Sequence, residues 1–134
     1  MTHAIIQVLE HVVDLANDVY AFDVGPISEF QFTKYQDDEA GGYDWHKDGH
    51  VVPERNPSYM QRKLSIVLCL NDYGVNYKGG ELLIKTENKG EVGEYKLSSG
   101  DVVLFPSFYE HKVNPLKEGT RYSIVSWVKG PKWR

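Results

Sequence analysis

Residues 100–128, GDVVLFPSFYEHKVNPLKEGTRYSIVSWV, read as three strands in close succession. Positions 101 to 105 make an apolar strand that Pro106 ends, 110 to 114 a second, and 121 to 129 a third. Side chains alternate across a strand, so Arg121, Ser123, Val125 and Trp127 share one face of the third.

Working outward, further strands are predicted at 43 to 48, 63 to 70, 81 to 86 and 93 to 97. Another holds Phe30, Phe32 and Tyr35 between Gly25-Pro26 and Gly41-Gly42. Leu68 and Val103 read as core. Before them, Ile5, Val8, Leu9, Val12, Leu15, Ala16 and Val19 form a helical stripe, giving one amphipathic helix over about 4–19 with Thr2 as a suggested cap. One helix followed by about eight short strands predicts a mainly β domain, an antiparallel sandwich or jelly roll over about 28–130, with the helix packed on an outer sheet face. Residues 49–61, with two prolines and little periodicity, read as a loop and a candidate lid.

The chain has 134 residues, room for one domain over 1–134, and its 41% hydrophobic and 25% charged composition is that of a packed globule. A net charge of −4 offers no overall positive field, so nucleic acid is not expected as a partner, despite the local run of Lys112, Lys117, Arg121, Lys129, Lys132 and Arg134. Cys69 is the single cysteine, which rules out an internal disulfide and points to a reducing compartment. The N-terminal stretch carries Glu10, Asp14 and Asp18 and no basic leader, and no segment approaches the roughly 18 apolar residues of a membrane span. The expectation is a cytoplasmic protein, monomeric or homodimeric.

His46 and Asp48 are two residues apart in a segment read as strand and can converge on one ion, although such a pair arises by chance in roughly one sequence in three of this composition. His111, delivered by the turn after Pro106, supplies a third ligand. Two imidazoles and a carboxylate make a facial triad whose three open positions suit Fe(II); zinc sites are more often closed or keep one. Ten residues on, Arg121 could grip a carboxylate bidentately, with Ser123 assisting. His50 continues the alternation of His46 and Asp48, but Gly49 is a natural end to the strand and would turn His50 away. His3 and His11 read as solvated.

Six segments in this order carry a family resemblance: F-x-x-Y (Phe32 to Tyr35), Y-x-x-H-x-D (Tyr43 to Asp48), RKLSIVLCLN (Arg62 to Asn71), GGEL (Gly79 to Leu82), GDVVLFP (Gly100 to Pro106), and H-x-V-x-P (His111 to Pro115) with Arg121 and Trp127 downstream. Over about residues 30 to 130 the chain resembles the prolyl 4-hydroxylase-like branch of the 2-oxoglutarate and Fe(II)-dependent oxygenases, including the PKHD-type hydroxylases of bacteria. The resemblance implies a double-stranded β-helix whose mouth holds Fe(II) on His46, Asp48 and His111. It also implies 2-oxoglutarate anchored by Arg121 with Tyr35 hydrogen-bonded to it, and a substrate side lined by Tyr43, Arg62 and Trp127. Cys69 stands where several relatives place an aromatic residue in the cosubstrate pocket.

The activity so implied is a dioxygenase using O₂ to hydroxylate a prolyl or other amino-acid side chain in a peptide or protein, releasing succinate and CO₂, with ascorbate as a reductant some relatives need. Hydroxylation of a small molecule, or a cupin-like metal-binding module without this chemistry, are the alternatives. Beside larger members of that family the chain is short, and the expectation is that most of the N-terminal helices that buttress their barrels are missing from it.

Overall fold

Among the described residues, a helix, α1 (His3–Tyr20), precedes nine strands: β1 (Ile27–Gln36), β2 (Tyr43–His46), β3 (Met60–Cys69), β4 (Tyr77–Gly79), β5 (Leu82–Lys85), β6 (Val92–Tyr95), β7 (Val102–Pro106), β8 (His111–Val113) and β9 (Leu116–Pro131). This computed structural model describes residues 3–20, 22, 24–25, 27–36, 43–49, 60–86 and 90–131. Thr2, His50 and residues 50–59 of the suggested lid lie outside the described residues.

The strands form two antiparallel sheets. The larger has the order β1-β9-β3-β7, with β4 paired to the first part of β9, and the smaller has the order β2-β8-β5-β6. Apart from β3–β4 and the β5–β6 hairpin, successive strands pass back and forth between the sheets, which is the winding of a double-stranded β-helix. Between the sheets, Val67, Cys69 and Phe105 meet Leu82, Ile84 and Val113 in one buried cluster.

The apolar run of β3 is buried on both faces for a simple reason. Val67 and Cys69 point between the sheets, while Leu64 and Ile66 point outward beneath the helix, where Leu9, Val13 and Val128 join them. The helix therefore covers the outer face of the larger sheet as expected. Its contact runs through Leu9 and Val13, one turn apart, whereas Leu15 is exposed. From its last turn, Asn17 exchanges two hydrogen bonds with the backbone of Phe22 beyond the helix end, at 2.8 Å each, and fixes the path toward β1.

The largest differences from the sequence reading are in β9 and β4. β9 starts at Leu116, five residues earlier than expected, because its first part pairs with β4 and its second with β1 and β3. β4 itself is only three residues long and ends at Gly79, so its composition resembles a turn. Leu68 and Val103 are only partly buried, and the outer cluster centres on Leu64, Ile66 and Val128, each 0% exposed. Leu64→Ala should accordingly lower the unfolding free energy by about 2–5 kcal/mol, read by chemical denaturation, while leaving metal binding by the folded protein unchanged.

Candidate metal centre

Adjacent strands of the smaller sheet bring the two histidines together. β2 pairs with β8 so that His46 lies directly opposite His111, and their ring centroids are 4.2 Å apart. Asp48 arrives differently from the sequence reading. The strand stops at His46, and Asp48 sits in the bend beyond it, where its own N–H and that of Gly49 both donate to the Ser107 carbonyl at 3.0 Å. Gly49 is required by this close approach, since a Cβ there would stand 2.6 Å from the Arg62 carbonyl oxygen.

Asp48 Oδ1 lies 3.2 Å from His111 Nε2 and 3.5 Å from His46 Nε2. Ligand atoms about 2.1 Å from one ion and at right angles to each other would be about 3 Å apart, close to the two Asp48 distances, and all three ligand atoms lie within 4.8 Å of one another. Each imidazole is oriented for this by its other nitrogen. His46 Nδ1 faces the Asp44 carbonyl at 2.8 Å and His111 Nδ1 the Tyr109 carbonyl at 3.0 Å, which places the proton on Nδ1 and the lone pair on Nε2. Among the described residues this is the one group of three metal-capable side chains close enough to share an ion.

Burial pushes the Asp48 carboxyl up, but His111, Ser65 and Trp127 together outweigh it and hold the group down at about 2. Burial likewise pulls His111 down, and its contacts with Asp48 and the Tyr109 carbonyl more than compensate, leaving it above its usual value. The carboxylate is thus charged throughout the neutral range, and His111 is the proton that competes with a cation.

Behind the triad, a cavity of about 630 Å³, counted out to its open mouth, runs between the sheets. Arg121 lines it and is only 1% exposed, yet its Nε and Nη2 have no protein partner, and neither has the buried Ser123 Oγ. Unpaired buried donors are costly, and three of them beside one another suit a carboxylate entering from the cavity. That chemistry fits an acid such as 2-oxoglutarate. Tyr35 is the direct β1 partner of Arg121, is buried, and has its ring centroid 5.2 Å from the guanidinium carbon. Gly80, at a positive φ of 65°, lets the arginine stem pass: a Cβ there would be 3.3 Å from Arg121 Cδ and 2.7 Å from Leu116 Cδ2.

The remaining residues singled out from the sequence do not all reach the cavity. Trp127 lines the cavity and donates from Nε1 to Asp48 Oδ2 at 3.0 Å. Arg62 does not line the cavity; it lies 3.9 Å over the Trp127 ring and donates to both Glu29 oxygens, at 3.1 and 2.8 Å. A bulge between Arg62 and Leu64 carries it to this side of the sheet. Cys69 is fully buried but outside the cavity lining, with its thiol against the Asn71 and Leu97 carbonyls and the Tyr77 hydroxyl. Tyr43 lies on β2, and its side chain is outside the described residues.

Several residues of the site escaped the sequence reading. Gln31 and Thr33 line the cavity beside Tyr35, as the two-residue period of β1 could have indicated. Ser65 donates to Asp48 Oδ2 at 2.6 Å, and its signal was a lone hydroxyl within an apolar strand. Tyr77, beneath Arg121, donates to the Leu97 carbonyl; burial and Cys69 push its phenol up, against the opposing pull of Arg121.

A family model described as the 2OG-Fe(II) oxygenase superfamily matches residues 30–129. The chain is 36% identical over 104 residues to a PKHD-type hydroxylase of Xylella fastidiosa (strain M12), a match that covers 74% of this chain and 43% of the relative. It therefore spans less than half the length of that relative. Among solved structures, a Pseudomonas putida prolyl-4-hydroxylase superposes with a TM-score of 0.72 at 21% identity, covering 98% of this chain and 65% of that one. A Trichoplax adhaerens prolyl hydroxylase in complex with a hypoxia inducible factor oxygen degradation domain peptide fragment gives 0.61 at 19%, over 90% and 55%. These likenesses show the double-stranded β-helix.

Proposed function

The chain belongs to the 2OG-Fe(II) oxygenase superfamily, and on that premise we propose that it is a 2-oxoglutarate-dependent dioxygenase that hydroxylates an unactivated C–H bond of a prolyl or other amino-acid side chain in a peptide or protein. The observation that carries this reading is the single cavity shared by two sets of groups. The His46, Asp48 and His111 triangle stands at one part of its wall and the unpartnered Arg121 and Ser123 donors at another.

Fe(II) held by the triad would supply, with O₂, the oxidative decarboxylation of 2-oxoglutarate to succinate and CO₂ and the oxygen atom that enters the substrate. The protein's own part is placement and shielding. His46 and His111 present Nε2 lone pairs because their Nδ1 protons are engaged, and Asp48 presents Oδ1. Arg121 and Ser123 receive the distal carboxylate of the cosubstrate with Tyr35 alongside, and Val67, Leu82, Phe105 and Val113 keep that part of the cavity apolar. Trp127, with Arg62 stacked on its ring, stands on the side on which the substrate would enter.

A peptide substrate is supported by the peptide complex of the solved neighbour and by the prolyl hydroxylases among the relatives. A small-molecule substrate is the second reading, and the polar Gln31 and Thr33 on the lining favour neither. The experiment is aerobic turnover with Fe(II), 2-oxoglutarate and ascorbate against separate peptide and metabolite pools. Gain of one oxygen atom by a peptide, matched by succinate, supports the proposal, and oxygen gained only by metabolites moves the substrate to the second reading. A module that binds metal without oxygenase activity is disfavoured by the orphaned Arg121 and Ser123 donors, which such a module has no use for. Among the described residues, no helix is long and apolar enough to cross a membrane.

The pH dependence of metal binding follows from the site. His111 must lose its proton to bind a cation and holds it above the usual histidine value, while Asp48, at about 2, is already ionised. Fe(II) affinity should therefore rise with pH through the neutral range and level off once His111 is neutral. Calorimetry in buffers of different ionisation enthalpy should show a proton released on binding at the lower pH values; affinity independent of pH would contradict it.

A further inference from the structure

The two oxygens of Asp48 have different surroundings. Oδ1 faces the two Nε2 atoms, at 3.2 and 3.5 Å. Oδ2 is taken by two donors from neighbouring strands of the larger sheet, Ser65 Oγ on β3 at 2.6 Å and Trp127 Nε1 on β9 at 3.0 Å. Ser65 and Trp127 are direct partners across those strands, so the two donors are fixed by one register position.

The serine is held in turn. Ser65 Oγ lies 3.0 Å from Ser107 Oγ, and since the single Ser65 proton goes to Asp48, Ser107 is the donor in that contact. Ser107 also accepts the Asp48 and Gly49 N–H groups on its carbonyl, so one residue pins both the backbone and, through Ser65, the side chain of Asp48. Ser65 and Ser107 are both 0% exposed and Trp127 8%, so water has little access to replace these bonds.

We infer that Ser65 and Trp127 are positioning residues that hold Asp48 as a one-oxygen ligand, and thereby fix how many coordination positions remain for cosubstrate and gas. The inference rests on the iron site proposed above. A carboxylate oxygen stripped of both donors in a buried site is strongly driven to find another positive partner, and the nearest one is the ion that its sister oxygen already binds. Binding through both oxygens would occupy a fourth position on a six-coordinate ion. Cosubstrate chelation would then fill the remaining two, and none would be left for a diatomic gas.

The test uses nitric oxide as the probe on anaerobic protein loaded with Fe(II) and 2-oxoglutarate, with the iron–nitrosyl signal read by electron paramagnetic resonance. Ser65→Ala combined with Trp127→Phe removes both donors and keeps an aromatic ring beneath Arg62; Ser65→Thr keeps the hydroxyl and serves as the conservative control. The double variant should still bind iron and 2-oxoglutarate, but its affinity for nitric oxide should fall by about tenfold or more, while Ser65→Thr behaves as the parent. Parent-like nitric oxide binding by the double variant overturns the inference. So does loss of iron from a folded double variant, since the donors would then be holders of the ion rather than selectors of one oxygen. If the double variant does not fold, Ser65→Ala and Trp127→Phe are read singly, each expected to show a smaller drop in the same signal, and no drop in either overturns the inference. Failure of the parent protein to bind iron with 2-oxoglutarate is a distinct result that removes the underlying site.

Discussion

His111→Ala is expected to abolish Fe(II)-dependent turnover while leaving the protein folded. If three ligands share a binding free energy of roughly 10 kcal/mol, removal of one costs about 3 kcal/mol, or about a hundredfold in affinity. The loss should exceed that share, because His111 is the buried imidazole of the pair and the one closest to Asp48. Its removal leaves the Asp48 carboxylate without its strongest stabilising partner, so the carboxyl should also rise from about 2. Iron content per folded protein, compared with Leu64→Ala, separates loss of a ligand from loss of stability. Asp48→Ala should match His111→Ala in iron content; full activity in either would remove the triad.

Arg121→Ala is expected to leave iron binding intact and to destroy binding of 2-oxoglutarate. Two charge-assisted hydrogen bonds to a carboxylate are worth about 3–5 kcal/mol together, so the cosubstrate dissociation constant should rise by about a hundredfold or more. The buried Nε and Nη2 have no other partner to lose, which predicts little cost to the fold from their removal beyond the space left by the side chain. Arg121→Lys should restore only part of the affinity, because an ammonium cannot offer two parallel N–H groups. Unchanged 2-oxoglutarate affinity in Arg121→Ala would move the protein to the class of metal-binding modules without this chemistry.

The parts of the site that were legible in the sequence are those whose signal is local. The alternation of Arg121, Ser123, Val125 and Trp127 placed them on one face, and the structure shows them lining one cavity. The helical stripe gave one helix on an outer sheet face, and the helix lies there through Leu9 and Val13. His46 and Asp48 were paired by their spacing, and the structure brings them together by another route. A bend held by the Ser107 carbonyl aims Asp48, and a long-range backbone contact of this kind leaves no periodic trace in the chain.

The same limit explains the other differences. β4 is stabilised by pairing with β9 rather than by its own three residues, so no local propensity announces it. Arg62 reaches its stacking position over Trp127 through a bulge, which a strict two-residue alternation along β3 would not indicate. Cys69 shares the inner face of β3 with Val67, but its thiol is taken up by Tyr77 and nearby carbonyls outside the cavity lining. Ser65 became visible as part of the site only once β3, β7 and β9 were laid side by side.

The central claim, that this cavity holds Fe(II) and 2-oxoglutarate together, is tested most directly by an anaerobic Fe(II) titration with and without 2-oxoglutarate, watched for a visible metal-to-ligand charge-transfer band. The expected result is a band that needs both components and is lost in Arg121→Ala and in Asp48→Ala. Bound iron that gives no such band with 2-oxoglutarate would contradict the claim.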